Sequence, residues 1–251
     1  MKKLIISFLV LFTLISTLQA ASTPPGWYGD VMSLVSKHQF KEAGEMVKNY
    51  CVEKKSGELC LIMASAYLGG DATLGIKTAN IIDAFKYTKL ACDYGSEEGC
   101  KAYKGAVDKG ELLQYVLFEP DVTDRDAKLK EAIHLGMDLN VTTMFTRTLL
   151  QKAISDEKFE AVKLLISNGV DVNYRVNDDD LTPLMYAINT GNKEMVTLLL
   201  KNGADPTQKM KVPEYLKMEK KEANACDFAK TIENQAMITL LKCKNAAANK
   251  E

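Results

Sequence analysis

The chain reads as an all-α protein, an α-solenoid of helix–turn–helix repeats. Three observations predict that class. The C-terminal half repeats itself at a shift of 34 residues, the N-terminal half repeats its cysteines at a shift of 40 or 41, and glycines punctuate short apolar segments throughout.

The 34-residue repeat is the clearer one. Residues 147–173 (RTLLQKAISDEKFEAVKLLISNGVDVN) slide onto 181–207 (LTPLMYAINTGNKEMVTLLLKNGADPT). The shift puts Thr148 on Thr182, Leu150 on Leu184, Ala153 on Ala187, Glu160 on Glu194, Val162 on Val196, Leu164-Leu165 on Leu198-Leu199 and Gly169 on Gly203. Each unit makes sense as two short helices. Thr182 can cap the first, with Pro183 at the first helical position, where its missing N–H is harmless. Gly191 supplies a left-handed residue to end that helix. Val196, Leu199 and Leu200 form an apolar stripe on the second, and Asn202-Gly203 ends it.

These residues resemble the ankyrin repeat, whose T-P-L-x-x-A…G-x-x-x-x-V-x-x-L-L-x-x-G-A-D signature is nearly complete in 182–205. The 148–173 unit departs at Glu157, where the family has Gly, and strain is expected there. Two weaker units flank the pair. Leu129 to Asn140 ends in HLGMDLN, an echo of SNGVDVN at 167–173. Residues 225–245 form a terminal unit in which Ala225-Cys226-Asp227 is read in the place of T-P-L. The shift there is 42, so eight or nine extra residues belong in the Lys/Glu-rich stretch 209–222. Ankyrin repeats are assigned to 109–246 and a tail to 247–251.

In the N-terminal half, Cys51 and Cys60 have eight residues between them, and Cys92 and Cys100 have seven. Helices of two or three turns are expected at 43–50, 61–68, 84–91 and 101–107. The string AFKYTKLACDYGSEEGCKAY (84–103) resembles the Sel-one-like repeat (SLR), a relative of the TPR, and in particular its cysteine-rich exported members. The resemblance covers about residues 38–108, one full repeat and parts of two, and the SLR segment is assigned to 27–108. It implies that each helix pair is stapled by a Cys-x7-Cys bridge, Cys51 to Cys60 and Cys92 to Cys100. Each bridge is worth about 2–4 kcal/mol. Cys226 and Cys243 fall on the two helices of the terminal ankyrin-like unit. A bridge is expected there too, with two buried free thiols as the alternative.

The N-terminus sets the expected compartment. Met1-Lys2-Lys3 is a basic start, Leu4 to Ile15 an apolar run, and Ser16 to Ala20 a more polar stretch ending on a small residue. That is the anatomy of a cleaved signal peptide at 1–20, cut after Ala20 or Ala21. The run is shorter than a membrane anchor requires. The first Cys is Cys51, too late for a lipoprotein. The expected location is the periplasm, or secretion as the alternative, and six cysteines in an oxidising compartment default to disulfides. With 32 Lys and Arg against 33 Asp and Glu, no basic excess exists to draw in nucleic acid. A monomer without membrane anchor, cofactor or metal is expected.

Catalytic patterns are sparse. The two histidines, His38 and His134, fall in different repeat types, and a Cys- or Ser-based triad needs one beside a nucleophile. Gly69-Gly70…Gly75-Ile76-Lys77 suggests a phosphate loop, but Ile76 separates Gly from Lys. Some cysteine-rich SLR proteins are described as binding or slowly hydrolysing β-lactams, so the resemblance implies an alternative function as a β-lactam- or muropeptide-binding protein with weak β-lactamase activity. Ser155-Asp156-Glu157-Lys158 spells S-x-x-K, without an accompanying S-D-N or K-T-G.

The main expectation is a protein-binding scaffold, whose partner is an envelope enzyme or a toxin to be neutralised. In the ankyrin family the fingers follow each G-x-D-x-N, and here they correspond to 141–147, 174–181 and 208–224. The first two carry the candidate partner contacts Phe145, Arg147, Tyr174, Arg175, Asp178 and Asp179, and the third carries Met210 and Tyr215. Aromatic and Arg side chains are the usual interface anchors. Met185, Tyr186 and Asn189 are expected to face the same side from the inner helix. Asn140-Val141-Thr142 is an N-x-T acceptor that also matches the acidic-x-N-x-S/T form of bacterial N-glycosylation, with Asn140 at an exposed finger base.

Overall fold

The computed structural model describes residues 26–143, 147–177, 180–213 and 220–243. The segments 1–20 and 247–251, together with Phe145, Asp178, Asp179 and Tyr215, lie outside the described residues. Thirteen α-helices and one two-stranded ribbon are present among the described residues, and none of these helices is long and apolar enough to cross a membrane. The chain is an all-α helical-repeat protein, divided into two compact units at Asp108/Lys109, with His134–Gly136 counted in the first.

The first unit contains α1 (Trp27–Ser36), α2 (Phe40–Glu53), α3 (Gly57–Gly69), α4 (Ile81–Asp93) and α5 (Glu97–Asp108). Successive helices pack on one another around Val31, Val47, Leu59, Met63, Tyr87 and Ala91. Tyr67 and Tyr87 stack at 5.4 Å, and burial pushes the Tyr87 hydroxyl up to about 12. The two interhelical turns share one design. Ser56 N–H donates to the Cys51 carbonyl and Cys60 N–H to Ser56; Ser96 N–H donates to Ala91 and Cys100 N–H to Ser96. A disulfide spans each turn, Cys51–Cys60 from α2 to α3 and Cys92–Cys100 from α4 to α5.

Such tight turns bring backbone against backbone, and glycines make that approach possible. A Cβ on Gly57 would lie 2.8 Å from the Ala91 carbonyl oxygen, and one on Gly99 2.6 Å from the Ala91 Cβ. At Gly44, a Cβ would meet the Leu74 carbonyl oxygen at 2.1 Å. Leu74 closes a short 3₁₀ turn (Ala72–Leu74) in the long connection between α3 and α4, and this loop packs on α2 through that glycine.

The second unit is a series of four helix pairs: α6 (Glu111–Phe118) with α7 (Arg125–His134), α8 (Leu149–Ser155) with α9 (Phe159–Ser167), α10 (Pro183–Thr190) with α11 (Lys193–Lys201), and α12 (Ala225–Thr231) with α13 (Gln235–Leu240). The equivalence read from the sequence holds in atomic detail. Thr148 and Thr182 are both N-caps, and their hydroxyls accept from Gln151 N–H and Met185 N–H. Leu150, Ala153, Val162, Leu165, Leu184, Ala187, Val196 and Leu199 are all buried. The expected strain at Glu157 is real. It is left-handed at φ 53°, as are Gly191 (φ 74°) and Glu233 (φ 55°), its counterparts in the following pairs.

The terminal pair departs by one residue from the sequence reading. The cap is Asn224, which forms a capping box with Asp227, so Asn224-Ala225-Cys226 occupies the place of T-P-L. Cys226 and Cys243 are bonded, which removes the free-thiol alternative. The connecting stretch folds as an antiparallel ribbon of β1 (Met210–Lys211) and β2 (Glu222–Ala223).

A ladder of hydrogen bonds ties the pairs together. In the turns after α7, α9 and α11, an Asp carboxylate accepts from the N–H two residues on: Asp138 from Asn140 at 2.9 Å, Asp171 from Asn173 at 2.9 Å, Asp205 from Thr207 at 2.8 Å. Each Asn then reaches forward. Asn140 Oδ1 accepts from Asp171 N–H at 3.1 Å, and Asn173 Oδ1 from Asp205 N–H at 2.8 Å. Asn173 Nδ2 also donates to the Gly203 carbonyl. Asn140, read as a glycosylation acceptor, is therefore a rung of this ladder.

Two outcomes follow. Gly44→Ala is expected to cost about 1–3 kcal/mol in chemical denaturation, because neither backbone can yield; an unchanged midpoint would refute that close approach. The Thr207 hydroxyl and N–H hold the Asp205 carboxyl below the ordinary carboxylate range. A depressed carboxyl contributes stability above its unfolded pKa that is lost as pH falls through the folded value. Asp205→Asn keeps an acceptor oxygen, so it is expected to be close to wild type at neutral pH and to lose less stability below about pH 4. An acid profile identical to wild type would contradict this.

Candidate functional site

The site is built where the first finger meets the inner helices. Thr142 and Thr148 pair as an isolated antiparallel bridge, and Thr143 N–H donates to the Arg147 carbonyl at 2.7 Å. This fixes the finger base and projects the Arg147 side chain over the next inner helix. Its guanidinium lies 5.4 Å from the ring centroid of Tyr186 on α10, and Nη1 donates to Ser155 Oγ at 3.2 Å.

Arg147, Ser155, Asp180, Leu181, Tyr186, Asn189 and Thr190 together line a recess of about 330 Å³. The second finger forms part of its wall. There the Asp180 carboxylate accepts from Asn177 N–H and Nδ2 at 3.1 and 3.4 Å, and Arg175 Nη1 donates to the Asp180 carbonyl. Gln151 also ties the first finger to the second: its Nε2 donates to the Leu181 carbonyl at 2.9 Å while its Oε1 accepts from Thr148 N–H.

Of the contacts expected from the sequence, Arg147, Tyr186 and Asn189 converge here. Tyr174 is exposed on the second finger. Two need correction. Met185 is fully buried because α10 packs against α8, α11 and α12, which leaves only its outward residues open. Met210, in strand β1 of the ribbon, is also fully buried. Neither is available to a partner.

Ser155, weighed from the sequence only as the first residue of S-x-x-K, is not among the partner contacts expected there, yet it lines the recess. The 34-residue register gives it away, since 155 falls on 189. Its hydroxyl contacts a guanidinium, which stays protonated and cannot take the proton a nucleophilic serine must lose.

Helix pairs that bury a shared core and repeat the same Asp-anchored turn define a helical-repeat protein. More specifically, residues 90–210 match the family model of ankyrin repeats in three copies, and the protein carries ankyrin repeats, which are protein–protein interaction modules. The match begins within α4 and ends before the last helix pair. The chain is 33% identical over 165 residues to the ankyrin repeat and KH domain-containing protein mask-1 of Caenorhabditis elegans, covering 62% of this chain and 6% of that protein. It is 36% identical over 94 residues to the palmitoyltransferase ZDHHC13 of Mus musculus, covering 38% of this chain and 14% of that one. It is 35% identical over 78 residues to the phosphocholine transferase AnkX of Legionella pneumophila, covering 31% and 8%. The chain thus spans only a small part of the relatives it matches.

Proposed function

We propose that this chain is an exported, periplasmic scaffold that holds a protein partner on the finger and inner-helix side of its ankyrin repeats. The observation that carries the reading is the recess under Arg147, where side chains from two successive repeats and two fingers meet at one open, polar spot. Buried repeats explain stability, but a pre-positioned guanidinium on an open face has no structural duty of that kind. Arg147, Tyr174, Arg175, Tyr186 and Asn189 are the contacts assigned to the partner, with Phe145, Asp178 and Asp179 from the same fingers.

Export is supported by the N-terminal pattern from Met1 to Ala20 and by the use of all six cysteines in three bonded pairs, an arrangement that persists in oxidising compartments. The bridged helix pairs at 51–60 and 92–100 support the reading of 27–108 as Sel-one-like repeats.

The test is affinity capture from periplasmic extract, with the mature chain beside a variant carrying Phe145→Ala, Tyr174→Ala and Arg175→Ala. The mature chain, recovered from the periplasm beginning at Ala21 or Ser22, is expected to retain a protein that the variant loses. Two empty baits, the same proteins on both, or a full-length chain confined to the cytosol would overturn the proposal.

A further inference from the structure

The chemistry of the recess narrows what its partner must offer. Arg147 is exposed yet held in place: its backbone by the finger, one face of its guanidinium by the Tyr186 ring, and one donor by Ser155 Oγ. An arginine has five N–H donors, and among the described residues only one of them, on Nη1, has a hydrogen-bond partner. No carboxylate among the described residues pairs with it. Asp180, the acid that lines the recess among those residues, is turned to Asn177 through Oδ2. Arg175 adds a second guanidinium on the neighbouring finger, with Nη1 on the Asp180 backbone.

The remaining polar groups suit an anion's oxygens or its flanking amides. Asn189 is exposed and offers both a donor and an acceptor. The Thr190 hydroxyl is engaged within its own helix end, donating to the Ala187 carbonyl and accepting from Asn192 N–H, so Asn189 is the flexible polar partner beside Arg147. At about 330 Å³ the recess is at the small end of ligand clefts. It takes one side chain or one chain end rather than a helix.

From this geometry we infer that the recess captures a carboxylate of the protein partner, either an Asp or Glu side chain in an extended segment or a free C-terminus. A planar guanidinium engages a carboxylate through two parallel N–H···O bonds, and here the orientation cost is already met by Ser155 and Tyr186. The inference rests on the scaffold reading and assigns the chemistry of its central contact.

The test is a titration followed by ¹H–¹⁵N NMR on the whole mature protein. The probes are N-acetyl-glutamate amide for a side-chain carboxylate, N-acetyl-alanine for a chain end, and N-acetyl-glutamine amide as the uncharged match. At least one carboxylate probe is expected to shift Arg147 Nε–Hε and the Ser155 amide saturably, in the millimolar range, while the glutamine compound does not. Whichever carboxylate binds names the source. Arg147→Gln is expected to weaken that binding at least tenfold with the rest of the spectrum unchanged. No saturable shift, equal shifts with the glutamine compound, or undiminished binding in Arg147→Gln would overturn the inference. If the probes fail while the finger variant still loses its captured partner, the carboxylate assignment falls and the scaffold stands. If the probes bind and no partner is captured, the scaffold reading falls instead.

Discussion

The ankyrin unit depends on a hydrogen bond that passes from one repeat to the next: an Asn carbonyl oxygen accepting the backbone N–H of the following Asp, at Asn140–Asp171 and Asn173–Asp205. The same Asp then holds its own turn through the N–H two residues on. The pattern fixes the offset between neighbouring helix pairs. That offset lets buried leucines from adjacent pairs share one core, and it sets Arg147 over Tyr186, although the two residues belong to different repeats. Each such bond is modest in net terms, about 1 kcal/mol, but its effect is geometric: the backbone donors it satisfies lie in turns that no helix can pair.

The first unit solves the same stacking problem by other means. Its turns carry no Asn rung. Each instead closes with a serine that both donates to and accepts from neighbouring helix backbone, and each is locked by a disulfide. Glycines 57 and 99 let three helices converge on Ala91 at distances a Cβ would forbid. Covalent closure and close approach thus stand where the second unit uses side-chain amides and caps. The Cys226–Cys243 bridge carries the covalent device into the pair α12–α13.

The helical-repeat fold was legible because periodicity at 34 residues is a property of sequence alone, and it predicted caps, left-handed positions and core residues at once. The same register, carried to Ser155 and Asn189, would have exposed the floor of the recess. What the register could not convey was occlusion. Met185 lies one position from Tyr186, but α10 has helices on three sides, and a single step along it moves a side chain from open face to sealed core. At Asn140 the three-residue N-x-T motif coincides with a structural rung, which the motif alone does not reveal. The one-residue slip at Asn224 arose because only the cap geometry distinguishes the N-cap from the first helical residue.

Hydrogen exchange at the Asp171 and Asp205 amides tests this account most directly. Both residues are exposed by side chain, so ordinary loop amides there would exchange fast. The ladder predicts slow exchange at both, with protection lost at Asp171 in Asn140→Ala and at Asp205 in Asn173→Ala. Fast exchange at these two amides in the intact protein, or protection indifferent to the two substitutions, would contradict it.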